Sequence, residues 1–296
     1  MTRAHRPPDA PPTARRVHAG GSTGRGTRRA ARARVQGRFP VVLWIPAALG
    51  AVLLVLPLAA LVVRAPWGAL VGILADPGTR SALVLSLGTA TAATLVSTAL
   101  GVPLALVLAR AHLPGSRLLR TLVTVPVVLP PVVGGVALLL AYGRTGTVGQ
   151  YLELWFGLSI PFTTVAVVLA QTFVAMPFLV LALDGALATV DDSLAEAAAT
   201  LGATRLHIFL HVTLPTLAPS LLAGAVLCWA RALGEFGATI TFAGNFPGST
   251  QTMPLAVYLA LQSDPDAAVA LSLVLLAVAV LVLALLRDRW IRGAVR

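Results

Sequence analysis

The chain has 296 residues, 57% of them hydrophobic and 11% charged, a balance that a soluble domain could reach only by exposing large apolar patches to water. It reads as an integral membrane protein. All 22 basic residues are arginine and the formal net charge is +11; with no lysine to reach a β- or γ-phosphate, the chain has no Walker A loop and no ordinary ATP site of its own. The single cysteine, Cys228, lies in an apolar segment, which excludes an internal disulfide and a cysteine-cluster metal site and leaves a packing role.

Residues 1–38 hold ten arginines with several Pro, Gly, Ser and Thr, and too few large apolar side chains to drive folding. A disordered basic cytoplasmic tail is expected. Attraction to anionic membrane lipid, at about 1 kcal/mol per basic residue near the surface, is one reading; an orientation signal or an over-extended start is the other. No aromatic residues are interleaved to stack on bases, so nucleic acid is not an expected partner.

Six charge-free runs follow, Phe39 to Val63, Ser81 to Ala109, Thr121 to Gly143, Leu154 to Leu183, Val212 to Ala230 and Ala267 to Leu286, each near or above the ~20 residues that cross a hydrocarbon core. The predicted fold is all-α and membrane-integral, with six transmembrane helices over residues 39–290 and a short tail at 291–296. The first run is too long for a signal-peptide core and lacks a small-residue cleavage pattern, so it is expected to be retained. Trp155 and Phe156 suggest an interfacial piece ahead of the fourth span, with Pro161 near its start. In the third run, Pro126, Pro130 and Pro131 with Gly134 and Gly135 should kink the helix and free backbone groups for a cavity or a neighbour.

Arginine placement sets the orientation. With the N-terminus inside, 18 arginines lie on the inner side and only Arg64, Arg80 and Arg144 outside, Arg231 standing at the end of the fifth span. Both termini are therefore expected in the cytoplasm, together with the loop 184–215.

That loop has internal order. Ser193 and Glu196 have capping-box spacing, Asp191 and Asp192 favour the positive end of the same helix, and Gly202 is placed to end it in a left-handed conformation. A second helix carrying Leu206, Ile208, Phe209, Leu210 and Val212 should meet the fifth span at Pro215. Capping and turning alone account for Glu196 or Gly202 in any helical hairpin. The joint spacing of Glu196, Ala197, Ala198, Gly202, Leu214 and Pro215 resembles the cytoplasmic EAA loop of binding-protein-dependent ABC importer permeases, with Val212 in place of the usual isoleucine. His207 and His211, four residues apart, have a possible metal-ligand spacing but no third ligand nearby, and they read as solvated or interface residues.

A second segment, from Ala230 through Arg231, Gly234, Glu235, Gly237 and Thr239 to Asp266, is similar to the fifth-span exit of molybdate permease subunits. Sulfate, thiosulfate and tungstate permeases share much of this pattern. Arg231 and Glu235 are one helical turn apart, and ionisable groups at a membrane helix end usually pair or face a cavity. A self-neutralising pair that holds the helix end is one reading. The other makes Arg231, Gly234, Glu235, Gly237 and Thr239 a translocation path or gate, with Thr239, Thr241, Asn245, Ser249, Thr250 and Thr252 as neutral donors that do not trap an anion.

The resemblance implies a type I ABC importer permease fold in the bacterial cytoplasmic membrane and a homodimer. It also implies two cytoplasmic ATPase subunits, which bind ATP and Mg, and an extracytoplasmic molybdate-binding protein. In that family the hairpin docks on the ATPase, a role that falls here on Glu196, Ala197, Ala198 and Gly202. No catalytic residue, metal site or cofactor is expected in the chain itself. A proton-coupled secondary transporter would want a carboxylate or histidine inside a span, and the six runs contain neither; a membrane enzyme would need clustered reactive groups that are likewise missing from them.

Overall fold

The computed structural model describes residues 41–293 other than 111–114, 190 and 192, and leaves undescribed the side chains of Val41, Arg110, Leu283 and residues 285–293. The tail expected at 1–38 lies outside the described residues. The chain divides after Pro57 into two units. The first takes in a 3-10 turn at Val41–Leu43 and most of helix α1 (Trp44–Val63), which is apolar along its length and whose residues from Leu58 on fall in the second. The second holds α2 (Leu70–Ala75), α3 (Pro77–Arg110), α4 (Ser116–Val128), α5 (Pro131–Tyr142), α6 (Gly149–Phe156) and α7 (Thr164–Leu187). There follow α8 (Ser193–Thr200), α9 (Arg205–Ile208), α10 (Leu214–Leu233), α11 (Gly237–Phe242), α12 (Met253–Ser263) and α13 (Pro265–Gly293). The last helix thus runs into the segment 291–296 expected as a tail.

Among the described residues five helices are long and apolar enough to cross a membrane, and α4 with α5 makes a sixth if read as one broken span. The expected kink in the third run is a bend of 118° between these two helices. Its cause is local. Leu129 and Pro130 are both extended, at ψ 134° and 131°, because a residue before proline is driven out of the helical region, and neither Pro130 nor Pro131 has an N–H to continue the ladder. The fourth run divides differently. An exposed helix, α6, carries Trp155 and Phe156, and α7 starts three residues after Pro161, where Thr163 Oγ1 accepts from Ala166 N–H at 3.2 Å.

Three helices form the main core. Small residues Ala90, Ala93 and Ala105 of α3, Ala175 of α7 and Ala232 of α10 pack with Leu179, Val180, Leu183, Cys228 and Leu233. In lipid no hydrophobic force draws helices together, so close backbone approach over small side chains supplies the packing. A second cluster joins α5, α7 and α11 through Leu138, Val167, Ala170, Val174, Ala238 and Phe242. A third seats α12 against α3 and α13, where Ser86 Oγ of α3 accepts from Met253 N–H at 2.6 Å.

Candidate coupling hairpin and translocation joint

Helix α8 begins at Ser193 itself, so Ser193 is the first helical residue and not the cap that the sequence pattern suggests. Asp191 takes the capping work: its Oδ1 accepts from Ser193 N–H at 2.9 Å, and hydrogen bonds from the Ser193 backbone and hydroxyl hold its carboxyl below the ordinary value. Glu196 and Ala197 are exposed on this helix and Ala198 is half-buried. Gly202 ends it at φ +85°, donating to Ala199 O at 3.0 Å while Ala203 N–H reaches back to Ala198 O at 3.1 Å. This pair of bonds is a Schellman closure, and the left-handed residue that it requires suits glycine.

The second arm does not form a separate helix that meets the fifth span at Pro215. Thr204 caps α9, its Oγ1 accepting from His207 N–H at 3.3 Å, and after one turn the backbone widens into a π turn at Phe209–Thr213. Leu214 N–H then reaches Phe209 O, five residues back, and α10 follows without a break in direction, giving a span-length helix of 29 residues from Arg205 to Leu233. Pro215 explains the wide turn. It has no N–H to offer and its ring would collide with the carbonyl four residues earlier, so the inserted residue relieves both problems. Leu214 is half-buried and Pro215 exposed at the first turn of the span. The imidazoles of His207 and His211 stack with centroids 4.1 Å apart, so their faces meet where a chelate would need converging ring nitrogens.

The fifth-span exit is organised around a real break. Helix α10 stops at Leu233, Gly234 sits exposed at φ −86°, ψ 6°, and α11 starts at Gly237. Gly234 thus occupies a conformation open to other residues. Gly237 is different: a Cβ there would stand 2.9 Å from Pro131 Cβ and 3.1 Å from Val132 N. The contact is reciprocal, since a Cβ on Gly135 would lie 2.7 Å from Thr241 Cβ and 2.9 Å from Ala238 O. The proline-glycine cluster of the third run and the break after the fifth span therefore form one joint, α5 against α11.

Arg231 and Glu235 brace this joint. Glu235 Oε2 lies 2.5 Å from Arg231 Nη1, with the carboxylate side chain only 1% exposed, and Glu235 Oε1 accepts from Ala238 N–H at 2.8 Å. One carboxylate so neutralises the arginine of α10 and caps the first turn of α11. Among the other donors, Thr241 Oγ1 bonds Gly237 O at 2.8 Å, Thr250 Oγ1 accepts from Phe246 N–H at 2.8 Å, and Ser249 Oγ approaches Phe246 O at 3.4 Å. These three are engaged within their own segment. The hydroxyls of Thr239 and Thr252 and the Oδ1 of Asn245 are buried with no hydrogen-bond partner among the described residues. A cavity of about 580 Å³ opens beside the break, lined by Ala230, Leu233, Gly234, Phe236, Tyr258 and Leu275 among others; its walls are too apolar to solvate an anion.

Two features escape the sequence pattern. Arg120 of α4 pairs with Asp184 of α7 at 3.0 Å, tying the lower arm of the bent pair to the root of the hairpin; the visible signal is two opposite charges at ends of neighbouring spans. Gln171 is the other, the one amide in the fourth charge-free run, fully buried with both amide atoms unpartnered.

The architecture is that of a membrane-embedded transport subunit. The chain belongs to the binding-protein-dependent transport system inner membrane component family, which matches residues 101–293, and it is an ABC transporter permease of the bacterial inner membrane. It is 51% identical over 231 residues, covering 78% of this chain and 87% of the relative, to the molybdenum transport system permease protein ModB of Mycobacterium tuberculosis. Against ModB of Escherichia coli K12 the identity is 44% over 191 residues, covering 64% and 83%. A solved bacterial ABC transporter involved in alginate import has the same fold, at TM-score 0.69 and 16% identity, covering 90% of this chain and 99% of that one.

Proposed function

We propose that this chain is the membrane-spanning subunit of an ABC importer that carries molybdate inward, with both termini cytoplasmic. The observation that carries the reading is the 51% identity to a molybdenum permease over 87% of that protein's length. The chain does no bond chemistry. It is a two-state element whose inward-open and outward-open forms are biased from opposite faces, by ATP bound with Mg on separate subunits and by a loaded binding protein. We expect a homodimer with two ATPase subunits.

The coupling role falls on α8 and its turn. Glu196, Ala197 and Ala198 lie on a short exposed helix, and Leu201 beside Gly202 is 88% exposed, an apolar side chain directed away from the core where a protein partner would cover it. Helix α9 continues into α10, so a push on the hairpin reaches the joint at Gly234 to Gly237 along one helical rod. Arg120 with Asp184 gives a second link, from the hairpin root to α4. In this reading Arg231, Gly234, Glu235, Gly237 and Thr239 border the path, and motion at the α5–α11 contact opens or shuts it.

Uptake of labelled molybdate, tungstate and sulfate by a strain with and without this chain tests the assignment. Loss of molybdate uptake on deletion, with sulfate uptake unchanged, is the expected result. Loss of sulfate uptake alone would move the chain to the sulfate and thiosulfate class, and tungstate transported in preference to molybdate would reassign the anion.

A further inference from the structure

Gln171 sits inside α7 at 0% exposure, and neither its Nε2 nor its Oε1 has a hydrogen-bond partner among the described residues. A polar group left in this condition is strongly unfavourable, and an apolar side chain of equal volume would avoid the penalty. Thr239 of α11, also at 0% exposure, has an unpartnered hydroxyl. Threonines elsewhere in these helices bond the carbonyl one turn back, as Thr94, Thr98, Thr172 and Thr241 do. Thr239 stands in the first turn of α11, where no helical turn precedes it.

The two residues sit on helices that pack in one cluster. Val167, Ala170 and Val174 of α7 pack in a single buried cluster with Ala238 and Phe242 of α11. Gln171 lies among the first set in sequence and Thr239 among the second. The same cluster includes Leu138 of α5, so the helices that carry both orphans meet where the bent pair, the fourth span and the broken exit converge.

We infer that Gln171 and Thr239 donate hydrogen bonds to the tetrahedral oxyanion as it passes this joint, an inference that rests on the path reading above. An amide nitrogen and a hydroxyl offer three donor hydrogens and no full charge. A fixed cation would hold a dianion too tightly for release, whereas neutral donors replace part of its hydration and let it leave. Arg231, the one arginine of this segment, is neutralised by Glu235. Neutral polar side chains within spans usually bond a neighbouring helix, and here the polar groups are left unused by the protein itself.

The test uses the complete complex, permease with its ATPase subunits in proteoliposomes and the binding protein supplied outside, with molybdate uptake measured against concentration. Gln171→Met keeps the volume and removes the donors; Thr239→Val removes the hydroxyl and Thr239→Ser keeps it. Gln171→Met and Thr239→Val should each reduce the uptake rate about tenfold, the loss of one charge-assisted hydrogen bond. The thermal midpoint should stay level or rise, and Thr239→Ser should stay within about twofold of the parent. Parent-like uptake in both Gln171→Met and Thr239→Val overturns the inference. Equal losses in Thr239→Val and Thr239→Ser overturn it as well, and this pair decides the matter if Gln171→Met does not assemble. The neutral double variant Arg231→Met with Glu235→Gln separates the two levels: if it transports normally, the path reading and the inference fall together. If that variant is inactive while Gln171→Met and Thr239→Val transport normally, only the inference falls.

Discussion

The hairpin from Asp191 to Thr213 and the joint between α5 and α11 depend on glycine for opposite reasons. At Gly202 a Cβ would meet nothing within 4 Å, and the demand is on the backbone, at φ +85°. At Gly135 and Gly237 the backbone is ordinary helix, and the demand is on space, with a Cβ 2.7 to 2.9 Å from its nearest neighbour. One region is built as an exposed local motif whose shape its own hydrogen bonds fix; the other exists only because two distant segments touch. A substitution at Gly202 should alter how the chain is driven, and one at Gly135 or Gly237 should alter whether the fold holds.

The largest effect is expected at the joint. Gly135→Val has no room against Thr241 and Ala238, and overpacking of a tight contact costs about 1–3 kcal/mol or more. Thermal unfolding of the purified complex should show a clear drop, while Gly88→Val on α3, where a Cβ has open space, should change far less. Equal drops would mean that the α5–α11 contact is not under constraint.

Next comes the ion pair. Arg231→Met leaves the buried Glu235 carboxylate without its partner, but with the arginine side chain 27% exposed the cost should fall below the ~3–5 kcal/mol of fully buried pairs and below that of Gly135→Val. Adding Glu235→Gln restores neutrality and keeps an acceptor for Ala238 N–H, so most of the stability should return. Transport should not return with it if the pair borders the path. Full recovery of both would reduce Arg231 and Glu235 to a clasp on the helix end.

Much of the hairpin is legible in the sequence because its determinants are local. Gly202 needs a left-handed residue a few positions after Ser193, and the structure forms that turn. What the spacing misplaces is also local: Ser193 is already helical, and Pro215 provokes a π turn that fuses the second arm to α10. The joint is legible only in part. Pro130, Pro131, Gly134 and Gly135 announce a bend, and Arg231 with Glu235 a pairing, but nothing in either stretch says that Gly135 will rest on Ala238. That contact is a property of packing between segments about a hundred residues apart. Gln171 shows the same limit, since its polarity is visible in an apolar run while its lack of a partner appears only in three dimensions.

Gly202→Val tests the driven side of the comparison. A β-branched residue in the left-handed region costs about 1–2 kcal/mol, enough to shift the turn without unfolding three packed spans. ATP hydrolysis by the assembled complex should persist while molybdate uptake falls several-fold, a separation that the packing variant Gly135→Val should not produce. Normal uptake in this variant would sink the coupling role of the hairpin.

The smallest effect belongs to Asp191. Its carboxyl is held below the usual value by the Ser193 N–H and hydroxyl, so the folded state binds its proton less readily than the unfolded chain. The stabilisation is therefore fully present above the unfolded value of about 3.9 and is lost as pH falls through the lower folded value. At neutral pH the contribution is constant, and Asp191→Asn should modestly speed hydrogen exchange at the amides of Leu194 to Ala198 without touching those of α11. Below about pH 4 the parent should approach the variant as the carboxylate protonates. Exchange that rose equally in α11 would show that the two regions are one cooperative unit, and the contrast between a locally fixed hairpin and a packed joint would then be lost.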